Sequence, residues 1–236
     1  MNTTKVAVID ISQMQRVAGR IGSNPAGIYQ DAHGCRYYVK TLDSAAHVRN
    51  ELIAARLYQL AGAPTLTYLH TEEPEQIATL WLPLEKSRIS QFSEEERQQA
   101  QRWFGVHAWT ANWDAAGFHG DNQGLYQGQI LTLDVGGALA FRAQGDPKGK
   151  AFGTEVNELD TLRSDPQNPH AVTLFGNMSE EALVQAIRIV VAIPDEAIRQ
   201  VIIAYGGALS LADKMIARKQ QMAQRLHHSS MPNHPL

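Results

Sequence analysis

Residues 112–125, NWDAAGFHGDNQGL, set Asn112, Asp114, Asp121 and Asn122 among glycines and one histidine. Shortly after, ILTLDVGGAL carries an apolar run into Asp134, Gly136 and Gly137. Short carboxylates and amides beside an apolar strand have two readings. They are common turn residues, and GDNQG would close a hairpin without any chemistry. They also supply the oxygen ligands that hard divalent cations take, which would let this stretch hold a metal ion and a phosphate.

Chemistry of that kind needs elements to position it. Residues 5–40 read as β-rich: KVAVIDI is a strand, and GIYQDAHGCRYYVK is two strands about a turn at DAHG. The second of these ends in Lys40, and the glycine-rich GRIGSNPAG precedes the first. Over 44–62, Val48, Leu52, Ala55 and Leu60 recur at helical spacing, Glu51 lies on that helix, and Gly62 ends it. TLTYLHTEEPEQIATLWLPLE returns to strands. From FSEEERQQAQRWFGVHAWTANW onward helices dominate, opened by a capping box of Ser93 and Glu96. GLYQGQILTLDVGG interrupts them as a hairpin. Helices then start at Ser179 and Pro194, and ALSLADKMIARKQQMAQRL is a last, basic-tailed one. HHSSMPNHPL, 227–236, reads as a flexible tail, and His227 and His228 as part of its frayed end rather than as metal ligands.

Composition bounds the partners. The 236 residues suffice for a large core, and 44% apolar with 19% charged residues is ordinary for a globular chain. A formal charge of -3 gives no direct nucleic-acid signal. One cysteine, Cys35, excludes an internal disulfide and a cysteine zinc cluster. MNTTKVAVIDIS lacks the plan of a signal peptide, and no apolar run is long enough to span a membrane. The expectation is a chain made in the cytoplasm, open to secretion or delivery into another cell without a cleaved signal.

The parts follow a recognisable order: glycine-rich loop, lysine at a strand end, glutamate in the next helix, Asp and Asn in a loop, then Asp-Val-Gly-Gly after a strand. This order resembles a protein-kinase-like fold, α+β and two-lobed, with a small β-rich N-lobe over about 1–85 and a mainly helical C-lobe over about 86–226. The resemblance implies a cofactor set of ATP and Mg2+. Gly22, Ser23, Asn24 and Gly27 would turn backbone N–H groups toward phosphate. Lys40 would bridge phosphates, held by an ion pair with Glu51. Asp134 and Asn122 would bind Mg2+, with Asp121 as the alternative to Asn122. Asp114 would accept the proton of an attacking hydroxyl. Singly, each of these residues reads more simply as a solvated edge lysine, a helix-surface glutamate or a turn; together and in this order they favour function.

The strings GSNPAGIY, YYVK, NELIAARLY, ANWDAAGFHGDN and LDVGGALAFRAQG look like the atypical bacterial kinases related to HipA and to phosphatidylinositol 3/4-kinases. The likeness is to a phage- and toxin-associated subfamily and covers roughly residues 17–220. It implies phosphoryl transfer to a hydroxyl acceptor, a protein by preference, by an effector or toxin. The chain departs from the family in its longer step from Asp114 to Asn122, and in Ala115 and Ala116 where a polar residue usually follows the Asp. Transfer of AMP, or a nucleotide-binding pseudokinase acting as an interaction module, are the alternatives. In FRAQGDPKGKAFG, residues 141–153, Arg142 is expected to point into the cleft as a catalytic cation. Lys148 and Lys150 are expected farther out, facing an acidic partner.

Overall fold

The computed structural model describes residues 8–21 and 24–229, the last three of these by backbone alone. The tyrosines, isoleucine and valine flanking DAHG form the expected hairpin, β3 (Ala26–Gln30) and β4 (Arg36–Thr41). Asp31 closes its turn by accepting from the N–H groups of His33 and Cys35 at 2.9 Å each. Register decides what each face carries. Val39 pairs with Gly27 and Lys40 with Ala26, so Tyr38 and Lys40 share one face and Val39 and Gly27 the other.

Four more strands complete the sheet. They are β1 (Val8–Ile9), β2 (Gln15–Ala18), β5 (Tyr68–Thr71) and β6 (Gln76–Leu80), in the order β1-β5-β6-β4-β3-β2. β1 is parallel to β5, and the other neighbours are antiparallel. β2 was not legible as a strand: all four residues are exposed, so it lacks an alternating apolar pattern. Helix α1 (Ala45–Leu60) crosses from β4 to β5 and buries Val48, Leu52, Ile53 and Leu57. Gly62 ends it with φ 79, a left-handed conformation that glycine adopts without penalty.

The remaining chain is mainly helical. The capping box forms as expected: Ser93 N donates to Glu96 Oε2 at 2.6 Å and Glu96 N to Ser93 Oγ at 3.3 Å. Two helices follow it, α2 (Glu94–Gln101) and α3 (Phe104–Trp109), separated at Arg102–Trp103. A hairpin of β7 (Gln123–Tyr126) and β8 (Gln129–Thr132) turns on Gln127 and Gly128, both with positive φ, as a tight two-residue connection requires. Thr65 ties β8 to the N-terminal part, its Oγ1 donating to Thr132 O at 2.8 Å. Then come α4 (Glu158–Ser164), α5 (Pro169–Phe175), α6 (Glu180–Val191), α7 (Asp195–Ala204) and α8 (Leu209–Ser229). The end of α8 takes in 227–229, read from sequence as the start of the tail.

One hydrophobic core runs through both parts, from Leu42 and α1 to Met215 and Met222 on α8. Arg218, on the helix read from sequence as basic-tailed, is fully buried. All five of its N–H groups are used. They go to the carbonyls of Trp109, Ala108, Gly153 and Glu155 and to the Glu158 carboxylate, at 2.7–2.9 Å. Trp109, also fully buried, donates to Met215 O at 2.8 Å. Among the described residues no helix is long and apolar enough to cross a membrane.

Candidate active site

Lys40, Glu51 and Asp134 meet where the sheet faces the helical part. Strand alternation puts Lys40 on the inner face of β4, and helical spacing puts Glu51 on the buried side of α1. Lys40 Nζ lies 2.9 Å from Glu51 Oε2 and 3.5 Å from both carboxylate oxygens of Asp134. Burial opposes the charge on Lys40, but Asp134 and Glu51 together hold its pKa above the usual lysine range. Burial also pushes the Glu51 carboxyl up to about 7 against the pull of Lys40, with Asp134 adding to the rise. One ammonium thus stands between two acidic groups.

Both glycines after Asp134 are needed for close approach. Gly136 N donates to Asp134 Oδ1 at 2.7 Å, and a Cβ on Gly136 would lie 2.6 Å from Glu51 Oε1. A Cβ on Gly137 would lie 3.1 Å from the Asp114 side chain. Gly136→Ala is therefore expected to push the Glu51 carboxylate off Lys40. In an ATP-turnover assay it should lose about 10–100-fold, the scale of a group misplaced by about 1 Å. Unchanged turnover would mean that the Glu51 position does not matter.

Asp114 and Asn122 are joined directly. Asn122 Nδ2 donates to Asp114 O at 2.8 Å and to Asp114 Oδ2 at 3.0 Å, leaving Asn122 Oδ1 free of that contact. The longer step between them is taken up by a loop over 117–120 that turns on Gly117 (φ 83) and Gly120 (φ 71). Burial, then the charges of Asp134 and Asp121, push the Asp114 carboxyl up to about 6, against the Asn122 hydrogen bond. Ala115 and Ala116 are fully buried, and Gln123 Nε2 donates to Ala115 O at 2.9 Å. Small apolar residues after Asp114 are thus a packing requirement of this loop.

These groups line a cleft of about 460 Å3, with Asn24, Tyr38, Asp121 and Arg142 also on its wall. Arg142 is exposed at that wall. Gly22 and Ser23 lie outside the described residues. Two expectations need correction. Gly27 sits within β3 on the face away from Lys40, where a Cβ would meet Arg16 Nε at 2.7 Å, and it does not line the cleft. Lys148 does not face outward: its Nζ donates to Ala111 O at 2.6 Å and Gly137 O at 2.7 Å. Burial pulls its pKa down to about 7, opposed by Glu158 and helped by Arg218 and Arg142. Lys150 is exposed.

The donor set suits a hard divalent cation. It is all oxygen, from Asp134, Asn122 and Asp121, which line the same cleft. Among the described residues no three His, Cys, Asp or Glu side chains form a metal cage by themselves. Such a set fits Mg2+, which keeps waters and shares phosphate oxygens, better than it fits a metal enclosed by protein.

Several supporting residues were not identified from the sequence. Asn50 on α1 donates to Ala138 O at 2.9 Å and accepts from Ala140 N at 3.1 Å, holding the segment after Asp134. Its only sequence signal is a polar residue on the buried side of a helix. Tyr58 bonds the buried His107 at Nδ1 (2.8 Å) and Asn112 at Nδ2 (3.0 Å), so α1 also braces the loop before Asp114. Burial drops the His107 pKa to about 3, which keeps that ring neutral. Tyr68 OH donates to Leu133 O at 3.1 Å and accepts from Val135 N at 3.3 Å, on either side of Asp134.

No protein-family model and no curated protein sequence matches the chain. Among solved structures it is similar to the Helicobacter pylori proinflammatory kinase CtkA, with a TM-score of 0.63 at 14% identity over 95% of this chain and 100% of that one. It also aligns with HipA of a Shewanella oneidensis toxin–antitoxin system, with a TM-score of 0.46 at 13% identity over 90% of this chain and 65% of that one. An aminoglycoside phosphotransferase from Alicyclobacillus acidocaldarius aligns with a TM-score of 0.40 at 12% identity over 92% and 95%. The first of these likenesses establishes the fold: a mixed α+β, protein-kinase-like architecture of the atypical kind, with an N-terminal sheet and a helical C-terminal part.

Proposed function

We propose that the chain is an ATP- and Mg2+-dependent phosphotransferase that moves a phosphoryl group onto a hydroxyl, by preference on a protein. The observation that carries this reading is Lys40, buried between Glu51 and Asp134 in a cleft whose other wall holds the paired Asp114 and Asn122. The kinase-like fold makes phosphoryl transfer the default chemistry for that arrangement. In this reading Lys40 binds nucleotide phosphates as a fixed point charge, and Glu51 keeps its ammonium aimed at them. Asp134, Asn122 and Asp121 hold the metal, which when bound neutralises phosphate charge. Asp114 takes the proton of the acceptor hydroxyl, and a carboxyl pushed up to about 6 is a better base near neutral pH than an ordinary aspartate. Asn24, on the cleft wall, faces the phosphates. Arg142, on the cleft wall, stabilises charge on the transferring group. An effector or toxin role, with delivery into another cell, is the biological setting we favour. It draws support from the proinflammatory kinase that shares the fold.

Thermal shift and product analysis test the assignment together. Mg2+ with ATP is expected to raise Tm more than either alone, and Asp134→Ala to remove the extra rise. The released nucleotide is expected to be ADP. Pyrophosphate would instead mean AMP transfer, and stabilisation by nucleotide without any product would mean a binding module.

A further inference from the structure

The segment that follows Asp134 carries a peculiarity in both sequence and structure. From Val135 to Gly153 it contains no serine, threonine or tyrosine. No hydroxyl side chain lies within it, and the first one after it is Thr154. It doubles back on itself: Phe141 bridges Pro147, Arg142 N donates to Asp146 O at 2.8 Å, and Lys148 N donates to Ala140 O at 2.8 Å. Its far end rests on α1, where His47 Nε2 lies 2.8 Å from Gly145 O.

The returning end of this loop places Lys148 under the cleft. Its Nζ joins the carbonyl of Ala111, three residues before Asp114, to that of Gly137, three residues after Asp134. Both loops are in conformations that need holding. Ala111 has φ 54 and Leu139 has φ 57, left-handed values that cost a non-glycine residue free energy. A second tie runs alongside, Leu139 N donating to Thr110 O at 2.7 Å. The charged groups around Lys148 are Glu158 on α4, Arg218 on α8 and Arg142 in its own segment. Glu158 is already engaged by Arg218 at 2.7 Å. Lys148 is therefore a half-buried cation whose hydrogen bonds go to backbone carbonyls, an arrangement that holds two loops rather than forming an ion pair.

We propose that Lys148 is a positioning residue: its ammonium fastens the loop bearing Asp114 to the loop bearing Asp134 and so fixes the separation of the two carboxylates. The proposal rests on the phosphotransferase reading for its kinetic consequence, and on geometry alone for the clamp.

Two measurements on the whole chain separate these. The first is ADP release from Mg·ATP by the wild type, Lys148→Met and Arg36→Met. Lys148→Met is expected to lower kcat about 100-fold with KM for Mg·ATP within about threefold, because nucleotide contacts remain while the carboxylates separate. Arg36→Met, which removes an exposed charge at the start of β4, is expected to match the wild type. The second is peptide-resolved hydrogen exchange, which should quicken in 110–117 and 135–140 of Lys148→Met and stay unchanged in α6 and α7. Should Lys148→Met fail to fold, Lys148→Gln, which keeps a donor, is expected to show both effects in smaller measure. Equal kcat in wild type and Lys148→Met, or unchanged exchange in the two loops, overturns the proposal. A wild type that releases no ADP overturns the phosphotransferase reading instead, and the exchange comparison then decides the clamp by itself.

Discussion

Lys40→Met is expected to lower ATP turnover by roughly 10³-fold, because in the proposed reading it removes a buried cation that the cleft would offer to nucleotide phosphates. The same change should destabilise the protein. Glu51 is almost wholly buried, and without Lys40 it must either stay ionised and unpaired or take up a proton. Breaking a buried pair from one side costs about 3–5 kcal/mol. Glu51 is already pushed up to about 7, so protonation gives it a way out and the loss should fall at the lower end near neutral pH. This makes a double substitution informative. Lys40→Met with Glu51→Gln should recover most of the lost stability, since no unpaired charge remains, while turnover stays as low as in Lys40→Met alone. Chemical denaturation and ADP release, run on the two single variants and the double, measure both quantities. Recovery of turnover in the double variant would show that Lys40 acts only by neutralising Glu51, and its place at the phosphates would have to be given up.

That pair is legible in the amino-acid sequence through its place in a kinase-like order of parts, since each residue taken singly reads as an edge lysine or a helix-surface glutamate. In the folded chain strand alternation sets Lys40 on the inner face of β4, and Glu51 is buried on α1. Asp134 is legible through the same order, at the end of an apolar strand with two glycines behind it. Gly27 is not. Its presence near a glycine-rich loop suggests a phosphate contact, but the pairing of Gly27 with Val39 turns it to the other face, and a one-residue difference in register reverses such an assignment. Lys148 misleads for a different cause. A lysine among glycines and a proline looks solvated, and nothing local says that two carbonyls from loops 37 and 11 residues away will converge on it. Asn50 and Tyr58 escape notice likewise: each looks like an ordinary member of α1, and each acts only through a partner far along the chain. Elements and chemistry-bearing residues are thus readable from the chain, whereas the bracing between loops is tertiary and leaves no pattern of its own.

Asp114→Asn should separate function from stability most sharply. Turnover should fall by about 10²–10⁴-fold, since the amide cannot accept the acceptor's proton, while ATP binding stays close to that of the wild type. Stability should move the other way. The folded protein raises the Asp114 pKa to about 6 from 3.8, because burial and the nearby Asp134 and Asp121 disfavour the ionised form. Between those values the folded state holds a proton that the unfolded state has released. The protonated group therefore favours folding at low pH, and that contribution is lost as pH rises through about 6. At pH 8 the wild type carries a carboxylate that its surroundings oppose. Asparagine has nearly the same shape and can still accept from Asn122 Nδ2, without the charge. The variant should accordingly be more stable by about 1–3 kcal/mol at pH 8 and gain little at pH 4. Denaturation in chelator at both pH values measures this difference without any assumption about the reaction. A variant no more stable at pH 8 than the wild type would mean that the Asp114 charge is not opposed in the fold. A variant that turns over ATP at the wild-type rate would mean that another group takes the proton. Lost turnover with gained stability is the pattern expected of a residue whose place in the cleft serves chemistry at the expense of folding.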